Sequence, residues 1–138
     1  MSLLNLCGQR LSTVPILANV ADAIQVMIDH EVGAVAVVDD EGIVAGMFTE
    51  RDVLEKFALS GRDPQQTSVR ELMSPMVEMA TEETTPAEAL RVMLERHYRH
   101  MPVVDERGKV LGILSIRHIL EAQIDDLLQQ LDATSPRR

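Results

Sequence analysis

The sequence predicts an α+β fold built from two β-α-β-β-α repeats packed sheet to sheet, with the helices outside. The first observation behind this is an internal duplication. Residues 11–57 lie over residues 77–123 without a gap, and 13 of the 47 aligned positions are identical, among them Met27/Met93, Asp39/Asp105, Gly42/Gly108, Gly46/Gly112 and Arg51/Arg117. The second is that apolar spacing inside each copy alternates between extended and helical periods. The third is size, since one such repeat has too little core to bury its own sheet face.

Each copy reads the same way in order. A short extended piece comes first, Thr13 to Ile16 and Val77 to Ala80. A helix follows, about Val20 to His30 and Pro86 to Arg96. Its apolar positions Ala23, Ile24, Met27 and Ile28 are matched by Ala89, Leu90, Met93 and Leu94, and Pro86 suits a first helical turn. Strands then run from Val35 to Val38 and from Met101 to Val104. The polar pieces ending in Gly42 and Gly108 make tight turns, where glycine takes positive φ without strain. Return strands follow, Ile43 to Phe48 and Val110 to Leu114, and a second helix starts at Thr49 or Ser115.

The first repeat takes residues 1–62 and the second 63–125, with an extension and tail over 126–138. Ser60 to Gln66 is a polar linker, Thr67 to Met73 suits one helical turn before Ser74-Pro75, and Ala133 to Arg138 reads as a frayed tail. The last helix continues beyond the duplicated stretch. Ile116, Ile119, Leu120, Ile124, Leu127, Leu128 and Leu131 form one apolar stripe on it. That stripe fits either a longer core helix or a helix–helix contact with a second chain.

Composition narrows the function classes. The chain has 138 residues, 46% hydrophobic, and 22 acids against 13 bases, for a net charge of −9. So acidic a chain is a poor match for a phosphate backbone, and nucleic acid is not an expected partner. No apolar run reaches the ~18 residues of a membrane span, and no basic region precedes the N-terminal leucines as in a signal peptide. A single cysteine, Cys7, forms neither an internal disulfide nor a cysteine-based zinc site, which fits a reducing, cytoplasmic compartment.

The stretch Gly46-Met47-Phe48-Thr49-Glu50-Arg51-Asp52 carries the chemistry. It reads as a buried strand entering a helix, with Thr49 as N-cap and Asp52 three residues on. Free N–H groups at a helix start favour a phosphate, and a carboxylate there can accept from two adjacent ribose hydroxyls. A plain capping box satisfies the same N–H groups with no ligand. The second copy is Gly112-Ile113-Leu114-Ser115-Ile116-Arg117-His118. It keeps the hydroxyl and replaces the carboxylate by His118, so the two sites are expected to be unequal. Arg96-His97-Tyr98-Arg99-His100 is the densest basic cluster. It reads as helix C-terminal cations and as a phosphate contact; if His100 meets phosphate as a cation, affinity weakens as pH rises through its titration. His97 and His100 lack a third ligand for a metal, Cys7 lacks a base partner, and no P-loop, G-x-G-x-x-G or catalytic set is present. No enzyme activity is expected.

Taken together, the doubled pattern resembles a tandem pair of CBS domains (cystathionine β-synthase domains, a Bateman module). The residues carrying the resemblance are Val-Gly-Ala-Val-Ala-Val-Val-Asp to Gly-Met-Phe-Thr-Glu-Arg-Asp, Arg-His-Met-Pro-Val-Val-Asp to Gly-Ile-Leu-Ser, and the lead-in Glu71-Leu72-Met73-Ser74-Pro75. The resemblance covers roughly residues 6–125. It implies two βαββα units about a pseudo-twofold axis, with two clefts that take adenine nucleotides (AMP, ADP or ATP) or other adenosyl ligands. It also implies a homodimer that regulates a partner protein. With no catalytic or channel domain in these 138 residues, a stand-alone module is expected.

Carried over, the main cleft would combine Thr49 and Asp52 with Ser74, Met79, Ala80, Tyr98, Arg99 and His100. There Thr49 would bond phosphate, Asp52 the ribose, and Arg99 and His100 the phosphates, while Met79, Ala80 and Tyr98 would border adenine. The weaker cleft would combine Ser115 and His118 with Gly8, Thr13, Val32 and Gly33. The alternative is a structural dimerisation module with empty clefts. Its motive is the extended last helix.

Overall fold

The computed structural model describes residues 2–8, 10–76 and 78–134. A 3-10 turn at Leu3–Leu6 leads into β1 (Thr13–Pro15), α1 (Val20–His30), β2 (Ala34–Val38) and β3 (Val44–Thr49). A short α2 (Glu50–Asp52) continues as a π-turn, Val53–Phe57, and α3 (Val69–Leu72) opens the second half. There α4 (Pro86–Arg96), β4 (His100–Val104), β5 (Val110–Ser115) and α5 (Ile116–Thr134) complete the chain. Val77, the first residue of the expected extended piece, and residues 135–138 of the expected tail lie outside the described residues. The helix itself runs through Thr134, past the point where fraying was expected.

The helices start where their caps stand. Asn19 and Asp22 form a capping box at α1, and Thr85 and Glu88 form one at α4 with Pro86 in the first turn. Both helices end on a left-handed residue, Glu31 (φ 54) and His97 (φ 60), at aligned positions of the two copies.

The two halves repeat a bond at the start of their second helices. Glu50 N–H donates to the Gly33 carbonyl at 3.0 Å, and Ile116 N–H to the Arg99 carbonyl at 2.9 Å. Between halves the bonds exchange. Val44 N–H donates to the Gly108 carbonyl (3.1 Å), and Val110 N–H to the Gly42 carbonyl (3.2 Å). Only a twofold relation between the copies makes such a pair reciprocal. The sheets meet face to face over Ala34, Ala36, Met47 and Val110, with Ile113 packed alongside.

The lead-in segments are also exchanged. Leu3 packs into the core of the second repeat with Met93, Met101, Leu114 and Ile119, joined by the half-buried Leu6 and Cys7. At the aligned positions, Val69 and Leu72 pack into the first repeat's core with Met73 alongside. Neither repeat therefore closes its core alone.

One departure from symmetry has a direct cause. The first sheet has three strands in the order β1-β2-β3, whereas the second has β4-β5 and, among the described residues, a single parallel bridge from Ala80 to Val103. In the first sheet Ala36 N–H donates to the Ser12 carbonyl at 3.0 Å. The residue aligned with Ala36 is Pro102, which has no N–H to give, so among the described residues the ladder holds only at Ala80.

Gly46 and Gly112 mark the exchanged lead-ins. A Cβ on Gly46 would lie 2.9 Å from the Ser74 carbonyl oxygen and from Met73 Sδ, and one on Gly112 would lie 2.9 Å from Cys7 Sγ. Gly46→Ala is expected to cost about 2–3 kcal/mol, because backbone must move. Gly112→Ala should cost less, since it meets mainly the Cys7 and Leu4 side chains. Chemical denaturation of the two variants checks that order.

Candidate ligand-binding cleft

The Thr49–Asp52 capping box forms as its spacing requires. Asp52 is only 4% exposed. Its Oδ2 accepts from Thr49 N–H at 3.0 Å and from the Thr49 hydroxyl at 3.2 Å. Its Oδ1 accepts from the Ser74 hydroxyl at 2.9 Å and from Lys56 Nζ at 3.0 Å. Thr49, Asp52 and Ser74 thus come together as expected. Ala80 is buried in the second repeat's core and held in the bridge to Val103, while Met79 is 37% exposed. Tyr98 packs half-buried against that same core, its N–H donating to the Met93 carbonyl.

Arg99 and His100 sit elsewhere. They line a cavity of about 950 Å³ together with Gly8, Val32, Gly33, Ser115 and His118. Thr49, Asp52 and Ser74 do not line it. The expected division of residues between the clefts is corrected on this point, and the reason is hairpin register. β4 and β5 are antiparallel neighbours with His100 opposite Ser115, so the basic cluster belongs beside its own repeat's helix start. Of the residues expected in the second cleft, Thr13 is absent from the cavity wall. Its neighbour Ser12 takes the place, buried and 2.8 Å from His30 Nδ1.

The cavity wall divides by charge. Arg99, Arg117, His100 and His118 come from the second repeat and Arg10 from the N-terminal lead-in, whereas Glu31 and Glu50 come from the first. The first repeat also supplies an apolar wall of Ile24, Met27, Ile28, Val53 and Leu54. Arg117 is splayed outward, its Nε 2.9 Å from Glu121. With Arg117 paired to Glu121, Arg99 and Arg10 stand against Glu31 and Glu50, so the wall is divided by charge without a net excess. Ser115 stands at the start of the 19-residue α5, where backbone N–H groups favour an anion. Sequence reasoning missed Arg10 and left Arg117 as a mere repeat identity.

Burial pushes the His100 imidazole down to about 4, with His118 and Arg99 adding to the effect. His100 is therefore neutral at physiological pH, which corrects the expectation of a cation. It can still donate one N–H to an anion. Because its folded value lies below the ordinary value of about 6.5, the unfolded chain binds the proton more readily. The stability it contributes is complete above about pH 6.5 and falls as pH drops toward 4, by about 2–3 kcal/mol in full. His100→Asn should flatten that part of the profile relative to the wild type in urea titrations at several pH values. Equal slopes would contradict it. Burial likewise pushes the Cys7 thiol up to about 11, so it remains an inert, packed thiol.

The doubled fold and these clefts can be set beside known proteins. The family model described as CBS domain matches residues 8–59 and again 69–125. The chain belongs to the CBS-domain family. As a CBS pair it superposes on a CBS-domain protein from Burkholderia ambifaria MC40-6 with a TM-score of 0.80 at 32% identity, covering 91% of this chain and 96% of that one. A CBS-domain containing protein from Agrobacterium tumefaciens gives a TM-score of 0.76 at 31% identity, covering 88% and 92%. The mitochondrial CBS domain-containing protein CBSX3 of Arabidopsis thaliana is 33% identical over 116 residues, which is 81% of this chain and 56% of that protein. A 17.7 kDa protein of Acidianus ambivalens is 37% identical over 106 residues, or 77% of this chain and 63% of its own length. The CBS pair thus spans less than two thirds of these two relatives.

Proposed function

We propose that this CBS pair is a regulatory module that binds an adenine nucleotide or related adenosyl ligand between its repeats and passes the binding on to a partner protein. One observation carries the reading: in an acidic chain, Arg10, Arg99, two histidines and Ser115 line one cavity of about 950 Å³ with an apolar opposite wall, and the largely exposed Arg117 stands beside them. That volume suits a nucleotide-sized ligand. Phosphates would meet Arg99, Arg117 and Arg10, with Ser115 and the α5 N–H groups beside them. The base would lie against Ile24, Met27 and Val53, where Glu50 can accept from an exocyclic amine. His118 offers one acceptor to a ribose where a carboxylate would offer several. Thr49, Asp52 and Ser74, with Met79, Ala80 and Tyr98 near them in the expected set, form the second candidate cleft. The Burkholderia ambifaria relative is described as a signal-transduction protein, which agrees with a regulatory role.

Calorimetry with AMP, ADP, ATP, NAD and S-adenosylmethionine tests the reading. Saturable binding of at least one adenine nucleotide is expected, tighter with more phosphates. No heat with any of the five would overturn it.

The interaction-module reading keeps one observation of its own. Ile119 is fully buried, but Leu120, Ile124, Leu127, Leu128 and Leu131 along α5 are between 43% and 62% exposed. An apolar face of that length suits a helix of a second copy, and we assign it to a homodimer contact. Truncation after Asp125 should convert a dimer to a monomer in light scattering, and an unchanged mass would remove α5 from the contact. Among the described residues no helix is long and apolar enough to cross a membrane. A cytoplasmic site of action is part of the proposal.

A further inference from the structure

We propose that Lys56 closes the Asp52 cleft from within, so that each chain takes one ligand, in the His118 cleft. The inference rests on the nucleotide-binding reading and adds which cleft is open and why.

Three of the aligned positions at which the two clefts differ bear on this. Ser74, Asp52 and Lys56 in one stand where Gly8, His118 and Ala122 stand in the other. In the first, Lys56 Nζ lies 3.0 Å from Asp52 Oδ1, 3.1 Å from Ser74 Oγ and 3.0 Å from the Leu72 carbonyl oxygen. A carboxylate offers about four acceptor positions. Asp52 already takes Thr49 N–H, the Thr49 hydroxyl, the Ser74 hydroxyl and the Lys56 ammonium. With these positions taken, a vicinal diol such as ribose has to displace Lys56 or a hydroxyl to reach Asp52.

In the other cleft the corresponding residues hold no such cluster, and Gly8 and His118 line open space. The backbone differs at the same place. Val53–Phe57 is a π-turn, with Ala58 N–H donating to the Val53 carbonyl at 2.7 Å, whereas residues 119–123 continue as α-helix. Such π-turns are local departures that recur where a side chain must be re-aimed. Lys56 is thus the residue that decides ligand number, and the Asp52 cleft is a latent diol site.

The test counts ATP sites per chain by calorimetry and native mass spectrometry. Wild type is expected to bind one ATP. Lys56→Met is expected to bind two, and Lys56→Met with Asp52→Asn to return to one. The converse transplant, Gly8→Ser with His118→Asp and Ala122→Lys, should close the open cleft and abolish the wild-type site. That keeps the proposal testable should Lys56→Met fail to fold. Two ATP per wild-type chain would overturn the inference while leaving nucleotide binding intact. A nucleotide bound only after Lys56→Met, and lost again with Asp52→Asn, would keep Lys56 as the closing residue but overturn the placement of the wild-type ligand in the His118 cleft. No binding by any variant would overturn both.

Discussion

Asp52→Ala is expected to lower the stability of the fold by about 2–4 kcal/mol, with a fall in melting temperature of about 10 °C. The carboxylate is 4% exposed and serves as the hub of a closed set of donors. Removing it strands Thr49 N–H, the Ser74 hydroxyl and the Lys56 ammonium at once. The amide and the hydroxyls were desolvated to meet it, and a buried donor left unsatisfied costs about 1–3 kcal/mol, whereas Lys56, whose side chain is 39% exposed, can turn to water. It also removes the bond between lead-in Ser74 and the first repeat, which helps fix how the two halves dock. The same substitution at Asp22, in the exposed capping box of α1, should cost about 0.5–1 kcal/mol. Thermal and urea unfolding of the pair gives the comparison, and equal losses would contradict the hub role.

Replacing both Arg99 and Arg117 by alanine is expected to weaken ATP binding by at least about 100-fold, since a charge-assisted bond contributes about 1.5–3 kcal/mol. Both side chains line the cavity and neither belongs to a buried cluster, so stability should change by less than about 0.5 kcal/mol. Arg62→Ala serves as the control. Arg62 pairs with Glu71 at 3.0 Å and does not line the cavity, and its loss should leave affinity unchanged. Wild-type binding should also weaken as ionic strength rises. Unaltered affinity in the double variant, measured by calorimetry, would place the phosphates elsewhere.

Much of the architecture could be read from local chemistry. Asn19 with Asp22, and Thr85 with Pro86 and Glu88, set the starts of α1 and α4 because caps act within one turn. Gly42 and Gly108 take φ of 82 and 86 at the two hairpin turns, as their spacing required. The duplication in turn dictated two similar halves. Pro102 was visible too, and its missing N–H foretells the shortened second sheet once β4 is assigned.

The site was harder to read because it depends on what lies across a sheet. The neighbours of Arg99 and His100 follow from the β4–β5 register, which puts them beside Ser115 and away from Asp52. Lys56 stands four residues after Asp52, an i,i+4 pair open to sequence reasoning. Its further bonds to Ser74 and to the Leu72 carbonyl depend on the exchanged lead-in, which only tertiary packing brings there. Arg10 reaches the cavity for the same reason, from a segment far away in sequence. The neutral state of His100 is a consequence of burial, which local sequence does not encode.

A crystal structure of the ATP complex tests the central claim most directly. The account predicts one nucleotide per chain, with phosphates against Arg99, Arg117 and the Ser115 hydroxyl, the base against Ile24 and Met27, and Lys56 still bonded to Asp52. Nucleotide found instead at Asp52, with Lys56 displaced and the His118 cavity empty, would contradict it.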